Sequence, residues 1–181
     1  MKHANAVLGA LRDHRDLGIH SGIVNETAME LVEAGVVTGA RKTHDPGVVV
    51  GGLLGGTSRL FRWADAHPGL RLRPTDYTHD PRVLGQSHRL VAINAAIEVD
   101  LTGAINAETV GRRYVGAVGG ALDFLRGAAA SDGGVPIVAL PSTAGDASRI
   151  VASLNGPTSS HRGVDVVVVT EHGVADLRGL Q

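Results

Sequence analysis

The chain has 181 residues, of which 43% are hydrophobic and only 3% aromatic, with a net charge of −1 and no cysteine. This length and composition are typical of one domain with an aliphatic core, and the lack of cysteine excludes disulfides, thiolate nucleophiles and cysteine-bound metals. The near-equal numbers of basic and acidic residues argue against nucleic acid or an anionic membrane as a partner. No apolar run is long enough to span a bilayer and no signal-peptide pattern begins the chain, so we expect a cytoplasmic protein.

Helix and strand patterns alternate along the first half of the chain. Apolar periodicity predicts a helix over 4–13, a strand over 17–21, a helix over 26–33, a strand over 48–54 and a helix over 58–66. Gly35 closes the second of these helices, Pro68 ends the third, and the polar segment 36–45 is predicted to be a loop. A short strand over 70–73 and a helical turn over 81–86 follow.

The second half continues with strands and one clear helix. Strands are predicted over 90–93, 97–100, 135–140 and 164–169, a helix over 121–129, and the opening of another helix over 175–179. Several of these strands are apolar on both faces and are separated by helices. We therefore expect an α/β fold with a mostly parallel or mixed sheet covered by helices.

A glycine-rich turn, 116–120, lies directly before the helix predicted over 121–129. Glycines let backbone N–H groups approach a ligand closely, and the start of a helix adds unsatisfied N–H groups and a positive dipole end. Such a turn suits an anionic or polarised oxygen. The alternative is a tight strand-to-helix connection without a ligand.

Six segments of the chain carry a resemblance to a known family. They are DLGIHS (16–21), LVEAGVV (31–37), AINAAIEVDLTG (92–103), VGGALDF (118–124), LPST (140–143) and VTEHGVADLRG (169–179). In these the chain resembles the acetyl-CoA hydrolase and CoA-transferase family, which includes acetate, succinyl-CoA and 4-hydroxybutyrate CoA-transferases. Family enzymes are about twice this length, with two similar α/β domains facing each other across the active site. The resemblance implies that residues 1–181 are one CoA-transferase-like domain of the C-terminal type, and that an N-terminal domain or subunit is missing.

The resemblance also implies a mechanism. A family glutamate attacks an acyl-CoA, forms an enzyme-bound CoA thioester and passes CoA to a small carboxylate, which is covalent catalysis. Gly120 stands where the family places an oxyanion-binding amide, and a positive φ there would be strained by any side chain. Gly116, Val118 and Gly119 would lie along the pantetheine arm, with His20 near the thioester. Coenzyme A is then a substrate, and no tightly bound cofactor is expected.

Four positions depart from the family pattern. The family motif reads approximately Gly-Ile-His-Thr-Glu, with the nucleophile last, but this chain has Gly22 at that place. Glu26 is four residues further on, about 6 Å along a helix, which is too far to substitute directly. His79 replaces a family asparagine that helps to bind the thioester oxygen, Gly145 replaces a lysine, and the glycine- and proline-containing CoA loop is absent before residue 6.

Three polar residues also have structural interpretations. His20 ends a predicted strand and either makes a structural hydrogen bond or lines the thioester pocket. His79 either caps a turn or binds ligand, the family placing it among the catalytic residues. Glu98 alternates with apolar residues and belongs either to the solvated face of a strand or to the functional site.

The remaining candidates are a carboxylate, an arginine pair and the histidines. Glu171 follows a buried strand, where a carboxylate needs a partner, and the family reading makes it a catalytic residue at the rim of the active site. Arg112 and Arg113 either form a solvated pair or contact the CoA phosphates. The nine histidines show no metal-site spacing, so no metal is expected.

Three functions fit these observations. The first is an acyl-CoA hydrolase or carboxylate CoA-transferase, incomplete alone, acting on acyl-CoA and a small carboxylate. The second is a domain that binds CoA or acyl-CoA without turning it over. The third is a scaffold or partner subunit. The surface facing a missing domain would be apolar and exposed, so we also expect a homo-oligomer.

Overall fold

The computed structural model describes residues 7–179. The beginning of the helix predicted over 4–13 lies outside these residues. Within them, 7–9 are helical and a 3-10 turn, Ala10–Asp13, continues the segment.

Five helices follow this turn: α1 (Glu26–Glu33), α2 (Ser58–Ala66), α3 (Thr75–Thr78), α4 (Pro81–Gly85) and α5 (Ala121–Ala130). The strands are β1 (His20–Val24), β2 (Val49–Leu54), β3 (Leu70–Leu72), β4 (Val91–Ala95), β5 (Glu98–Asp100), β6 (Ile105–Asn106), β7 (Thr109–Val110), β8 (Arg113–Tyr114), β9 (Val135–Ala139), β10 (Thr143–Ala144), β11 (Ala147–Ser148), β12 (Ile150–Val151), β13 (Val167–Thr170) and β14 (Gly173–Asp176). The predicted bounds of α1 and α2 are confirmed.

The predicted bounds of α1 are accurate because residues at both of its ends favour helix termination. Asn25 caps it, its Oδ1 accepting the Ala28 N–H at 3.0 Å. Gly35, at φ +70, follows the C-cap residue Ala34 in the left-handed conformation that favours glycine.

The first sheet is parallel, with the order β1-β2-β3. Its covering helices α1 and α2 complete a core whose fully buried members include Val24 and Leu31. Behind the sheet the half-buried Lys42 donates from Nζ to the carbonyl oxygens of Ile19 at 3.0 Å and Val48 at 2.7 Å. This ammonium ties the loop predicted over 36–45 to the start of two strands.

The second sheet has the order β14-β13-β9-β4, with β4, β9 and β13 parallel and β14 antiparallel to β13. Helix α5 packs on β4 and β9, and α4 packs on α5. Leu125 of α5 and Val138 of β9 are buried in a second core. The expected α/β fold is confirmed, although its strands divide between two main sheets instead of one.

A third, smaller sheet has the order β12-β5-β6 and carries a buried polar cluster. Glu98 Oε1 accepts from Asn106 Nδ2 at 3.0 Å and from the Asn155 N–H at 2.7 Å. Burial raises the pKa of Glu98, but these hydrogen bonds outweigh it, so the pKa lies below its usual value. Assigning Glu98 to a solvated face is therefore wrong, because only 8% of it is exposed.

Three predicted segments need correction. The strand over 17–21 begins later, at His20, because Leu17 forms only a single bridge with Val37. The strand over 164–169 begins at Val167, since the preceding apolar residues are buried in the core without pairing in the sheet. The helix over 175–179 is wrong: that segment contains the end of β14, which pairs antiparallel with β13.

Candidate active site

Three positions far apart in sequence meet at one place. Gly22 lies on β1, His79 ends α3 as its C-cap, and Gly120 is the N-cap of α5. A Cβ built on Gly22 would be 3.1 Å from His79 Nε2, and one built on Gly120 would overlap the imidazole at Cδ2 and Nε2. The two glycines therefore leave the space that the imidazole occupies, with Nε2 next to both of them.

His79 is held on two sides. Its Nδ1 is 2.8 Å from Oγ1 of Thr78, a residue with no exposed surface. The Phe124 ring meets the imidazole edge-on, with the ring centroids 5.0 Å apart. An open cavity of about 570 Å³ beside the imidazole is lined by Thr75, Asp76, His79, Asp80, Arg82, Gly120 and Asp123.

His20 lies behind this site and supports it. Because a carbonyl oxygen only accepts, His20 Nε2–H donates to Thr78 O at 3.1 Å. Its ring packs on Tyr77 at 5.7 Å, and the Tyr77 hydroxyl donates to Asp45 Oδ2 at 2.6 Å. Burial, followed by the nearby Lys42 charge, lowers the pKa of His20, although the hydrogen bond to Thr78 opposes this shift.

The glycine turn divides into a structural part and an open part. The Gly116 N–H donates to Glu108 O at 2.9 Å, and a Cβ on Gly116 would overlap the backbone of Ala107. Within the described chain, the N–H groups of Gly119 and Gly120 donate no hydrogen bond. Val118 is 81% exposed, and no atom lies within 4 Å of a Cβ placed on Gly119. The free amides are thus at the end of the turn next to α5.

A second cavity, of about 240 Å³, opens against this end of the turn. Val118 and Gly119 line it together with Asn94, Ser159 and Ser160. Asn94 Nδ2 is buried there and has no hydrogen-bond partner among residues 7–179. The wall of this cavity is thus largely apolar, with a few polar side chains and the end of the glycine turn.

The φ of Gly120 is −75 and its ψ is 5, which any L residue can adopt. The possibility of a positive φ at this position is therefore wrong. Glycine is required because of the imidazole that packs on it.

Glu171 is held in place by Ser142. It accepts from the Ser142 hydroxyl at 2.5 Å and from the Ser142 N–H at 2.8 Å. These two bonds lower the pKa of Glu171 to about 2, so the carboxylate is charged at neutral pH. No contact links Glu171 to Gly22, His79 or Gly120 among the described residues.

The other sequence candidates have ordinary surroundings. The Glu26 carboxylate accepts the Thr57 N–H, which holds its pKa below the usual value, and so does not reach towards Gly22. Arg112 and Arg113 are exposed, and neither forms an ion pair among the described residues. Gly145, at φ +58, forms the turn between β10 and β11, where a lysine would be strained.

In residues 7–179 no group of three or more His, Asp or Glu side chains could hold a metal ion. The helices of the same residues are too short or too polar to span a bilayer.

Sequence reasoning missed two residues of the site, Thr78 and Phe124. Thr78 stands in an ordinary polar segment, and its role depends on the turn of α3 that buries it. Phe124 is part of the VGGALDF segment and lies four residues after Gly120, one turn along α5. That helical spacing could have placed it on the same face as the glycine.

Comparisons with known proteins identify relatives of this chain. The family described as "Acetyl-CoA hydrolase/transferase C-terminal domain" matches residues 56–181. The 4-hydroxybutyrate coenzyme A transferase of Clostridium kluyveri is 41% identical over 97% of this chain and 42% of its own length. An acetyl-CoA hydrolase of Neurospora crassa is 28% identical over 98% of this chain and 33% of its own length.

Solved structures show the same fold. RipA from Yersinia pestis matches with a TM-score of 0.93 and 42% identity over 98% of this chain and 41% of that one. A 4-hydroxybutyrate CoA-transferase from Porphyromonas gingivalis matches with a TM-score of 0.82 and 40% identity. The match covers 97% of this chain and 41% of that one. This chain thus spans about 40% of the length of these relatives. It belongs to the acetyl-CoA hydrolase/transferase family.

Proposed function

We propose that residues 1–181 form one domain of an acyl-CoA hydrolase or carboxylate CoA-transferase and work with an N-terminal domain or subunit. The substrates would be an acyl-CoA and, for transfer, a small carboxylate, with coenzyme A as substrate and no tightly bound cofactor. The observation that carries the proposal is the meeting of Gly22, His79 and Gly120 beside an open cavity. The cytoplasm, where acyl-CoA thioesters are made and used, is the proposed location.

The Gly120 amide supports a role in thioester chemistry. Its N–H is unpaired and stands at the start of a ten-residue helix. An N–H in that position can donate to the oxygen of a tetrahedral intermediate, and one such donor contributes about 3 kcal/mol to transition-state stability. Gly119 presents a second unpaired N–H directly before it.

The surface next to Gly22 supports contact with a partner domain or subunit. Ile23 and Leu53 are neighbours in the β1-β2 register and are 41% and 51% exposed. An apolar pair beside a candidate active site fits the face of an N-terminal half, or of a second copy in a homo-oligomer.

A binding-only domain is the second candidate, and Gly22 favours it. No carboxylate stands at the nucleophile position, and the carboxylates of Glu26 and Glu171 are engaged elsewhere. A covalent CoA intermediate on this chain is therefore not part of the proposal.

Calorimetry with CoA and a non-hydrolysable acyl-CoA analogue tests the proposal on the full chain, alone and with an N-terminal half of a relative supplied in trans. We expect the unaltered chain to bind these ligands, and Gly119→Leu to weaken the affinity at least tenfold. The leucine side chain would enter the cavity that Gly119 lines, where a Cβ at this position meets no atom within 4 Å. Gly9→Leu is the matched control, since Gly9 also has open space around it. The proposal is wrong if neither preparation binds CoA or the analogue, or if the two variants bind equally well.

A further inference from the structure

We propose that His79 acts as a general base through Nε2 and activates water for hydrolysis of the thioester. This inference rests on the proposed function and specifies its chemistry. Hydrolysis then needs no glutamate at position 22, because the imidazole and a water molecule replace the covalent step.

The hydrogen bonds of Thr78 select the tautomer of His79. Thr78 Oγ1 is 3.3 Å from Pro74 O and 2.8 Å from His79 Nδ1. The hydroxyl has one hydrogen, and the Pro74 carbonyl can only accept it. Both contacts become hydrogen bonds only if Thr78 donates to Pro74 and His79 Nδ1–H donates to Thr78. The neutral imidazole then has its lone pair on Nε2.

That lone pair is on the nitrogen next to the position where the family nucleophile would stand. Nε2 is the imidazole nitrogen next to Gly22 and to Gly120. Gly22 has no side chain to cover this nitrogen, and His79 lines the open cavity of about 570 Å³. A thioester carbonyl bound at the Gly120 amide would be next to the same water.

The fixed support of His79 suits a base that must keep its orientation. Thr78 is fully buried, and its carbonyl accepts from His20, so the segment before His79 is held from behind. A third group that orients the base is the usual arrangement in activated-nucleophile sites. Thr78 is thus a positioning residue for His79.

The proton and electron balance closes within the site. Nε2 takes one proton from water as the water oxygen bonds to the thioester carbon, and the resulting oxyanion accepts from the Gly120 N–H. The C–S bond then breaks, and the CoA sulfur takes the proton back from Nε2. The products are a carboxylic acid and CoA thiol, and the imidazole returns to its starting state.

Charged side chains line the cavity beside this imidazole. Asp76 and Asp80 come from the α3–α4 region, and Asp123 comes from α5. Asp80 is engaged by Arg82, with the shortest N–O distance 2.8 Å.

Nitrogen-15 NMR of the histidine side chains tests the tautomer independently of turnover. At a pH where His79 is neutral, we expect a protonated Nδ1 and an unprotonated Nε2. Thr78→Ser should keep this tautomer, whereas Thr78→Val, which removes the acceptor, should shift the population away from it. A protonated Nε2 in the unaltered chain would overturn the proposal, because that nitrogen could not take a proton.

Hydrolysis of acyl-CoA, with and without the N-terminal half in trans, tests the chemistry. We expect His79→Asn to lower kcat by about 10²- to 10⁴-fold while binding of the non-hydrolysable analogue stays within a factor of two or three. His14→Asn, at an exposed histidine, is the matched control and should change neither.

The two proposals fail in different ways. Analogue binding without hydrolysis, or full hydrolysis by His79→Asn, overturns the general base and leaves the proposed function standing. Absence of both binding and hydrolysis overturns the two together.

Discussion

Substituting Gly120 by alanine should destabilise the protein through the His79 imidazole. The backbone at Gly120 already has φ −75, so alanine adds no backbone strain. Its Cβ, however, would overlap the imidazole. The ring cannot move freely, because Thr78 holds it by a hydrogen bond and Phe124 packs against it.

The expected loss follows from that overlap. Adding a methyl group to a packed site costs about 1–3 kcal/mol, so we take about 2 kcal/mol for Gly120→Ala. For a chain of this size the midpoint of thermal unfolding should fall by about 4–8 °C. Most of this loss in the free energy of unfolding should disappear in the His79→Ala background, where no imidazole meets the new Cβ.

Urea unfolding of four proteins measures the effect: the unaltered chain, Gly120→Ala, His79→Ala and the double variant. We expect a coupling free energy of at least about 1 kcal/mol, in the range found for residues in contact. Gly119→Ala is the control, because a Cβ there meets no atom within 4 Å, and it should be nearly neutral. The reasoning is refuted if Gly120→Ala costs the same with and without the imidazole, or costs nothing.

Three further outcomes are expected. Intact-mass spectrometry after incubation with acyl-CoA should show no covalent CoA adduct, since Gly22 offers no carboxylate; a stoichiometric adduct would contradict this. The stabilising effect of Glu171, whose folded pKa is about 2, should be present above the unfolded pKa of about 4.5 and be lost as the pH falls towards 2. The difference in urea midpoint between the unaltered chain and Glu171→Gln should therefore narrow over that range, and a constant difference would count against the Ser142 contact. Asn106→Ala should lower the free energy of unfolding by about 2–4 kcal/mol, because Asn106 makes buried hydrogen bonds to Glu98 and to backbone groups; a loss below 1 kcal/mol would argue against that cluster.

The elements that sequence predicted best carry their own end signals. Helix α2 begins after Thr57, whose hydroxyl caps it, and ends just before Pro68. Strand β14 has no such local signal. Its conformation depends on pairing with β13, and residues 175–179 alone have a helical pattern that this pairing overrides.

The site was predictable residue by residue but not as an arrangement. The resemblance singled out Gly22, His79 and Gly120 separately. Spacing could not bring them together, because α3 packs beside β1 on the first sheet, whereas α5 packs on the second. The role of Thr78 depends on a backbone turn that buries its hydroxyl, which no sequence pattern encodes.

The division of the core between two sheets has a consequence for synthesis of the chain. Strands β1 to β3 and the helices that cover them all precede residue 73, so this half can fold once that segment has left the ribosome. The four-stranded sheet must wait for β13, because that strand lies between β9 and β14. Gly22 and His79 are therefore made before the α5 that completes their surroundings can dock on its sheet. A nascent chain arrested before α5 should leave His79 without its contacts to Gly120 and Phe124, and the formation of those contacts would mark the moment when the two halves join.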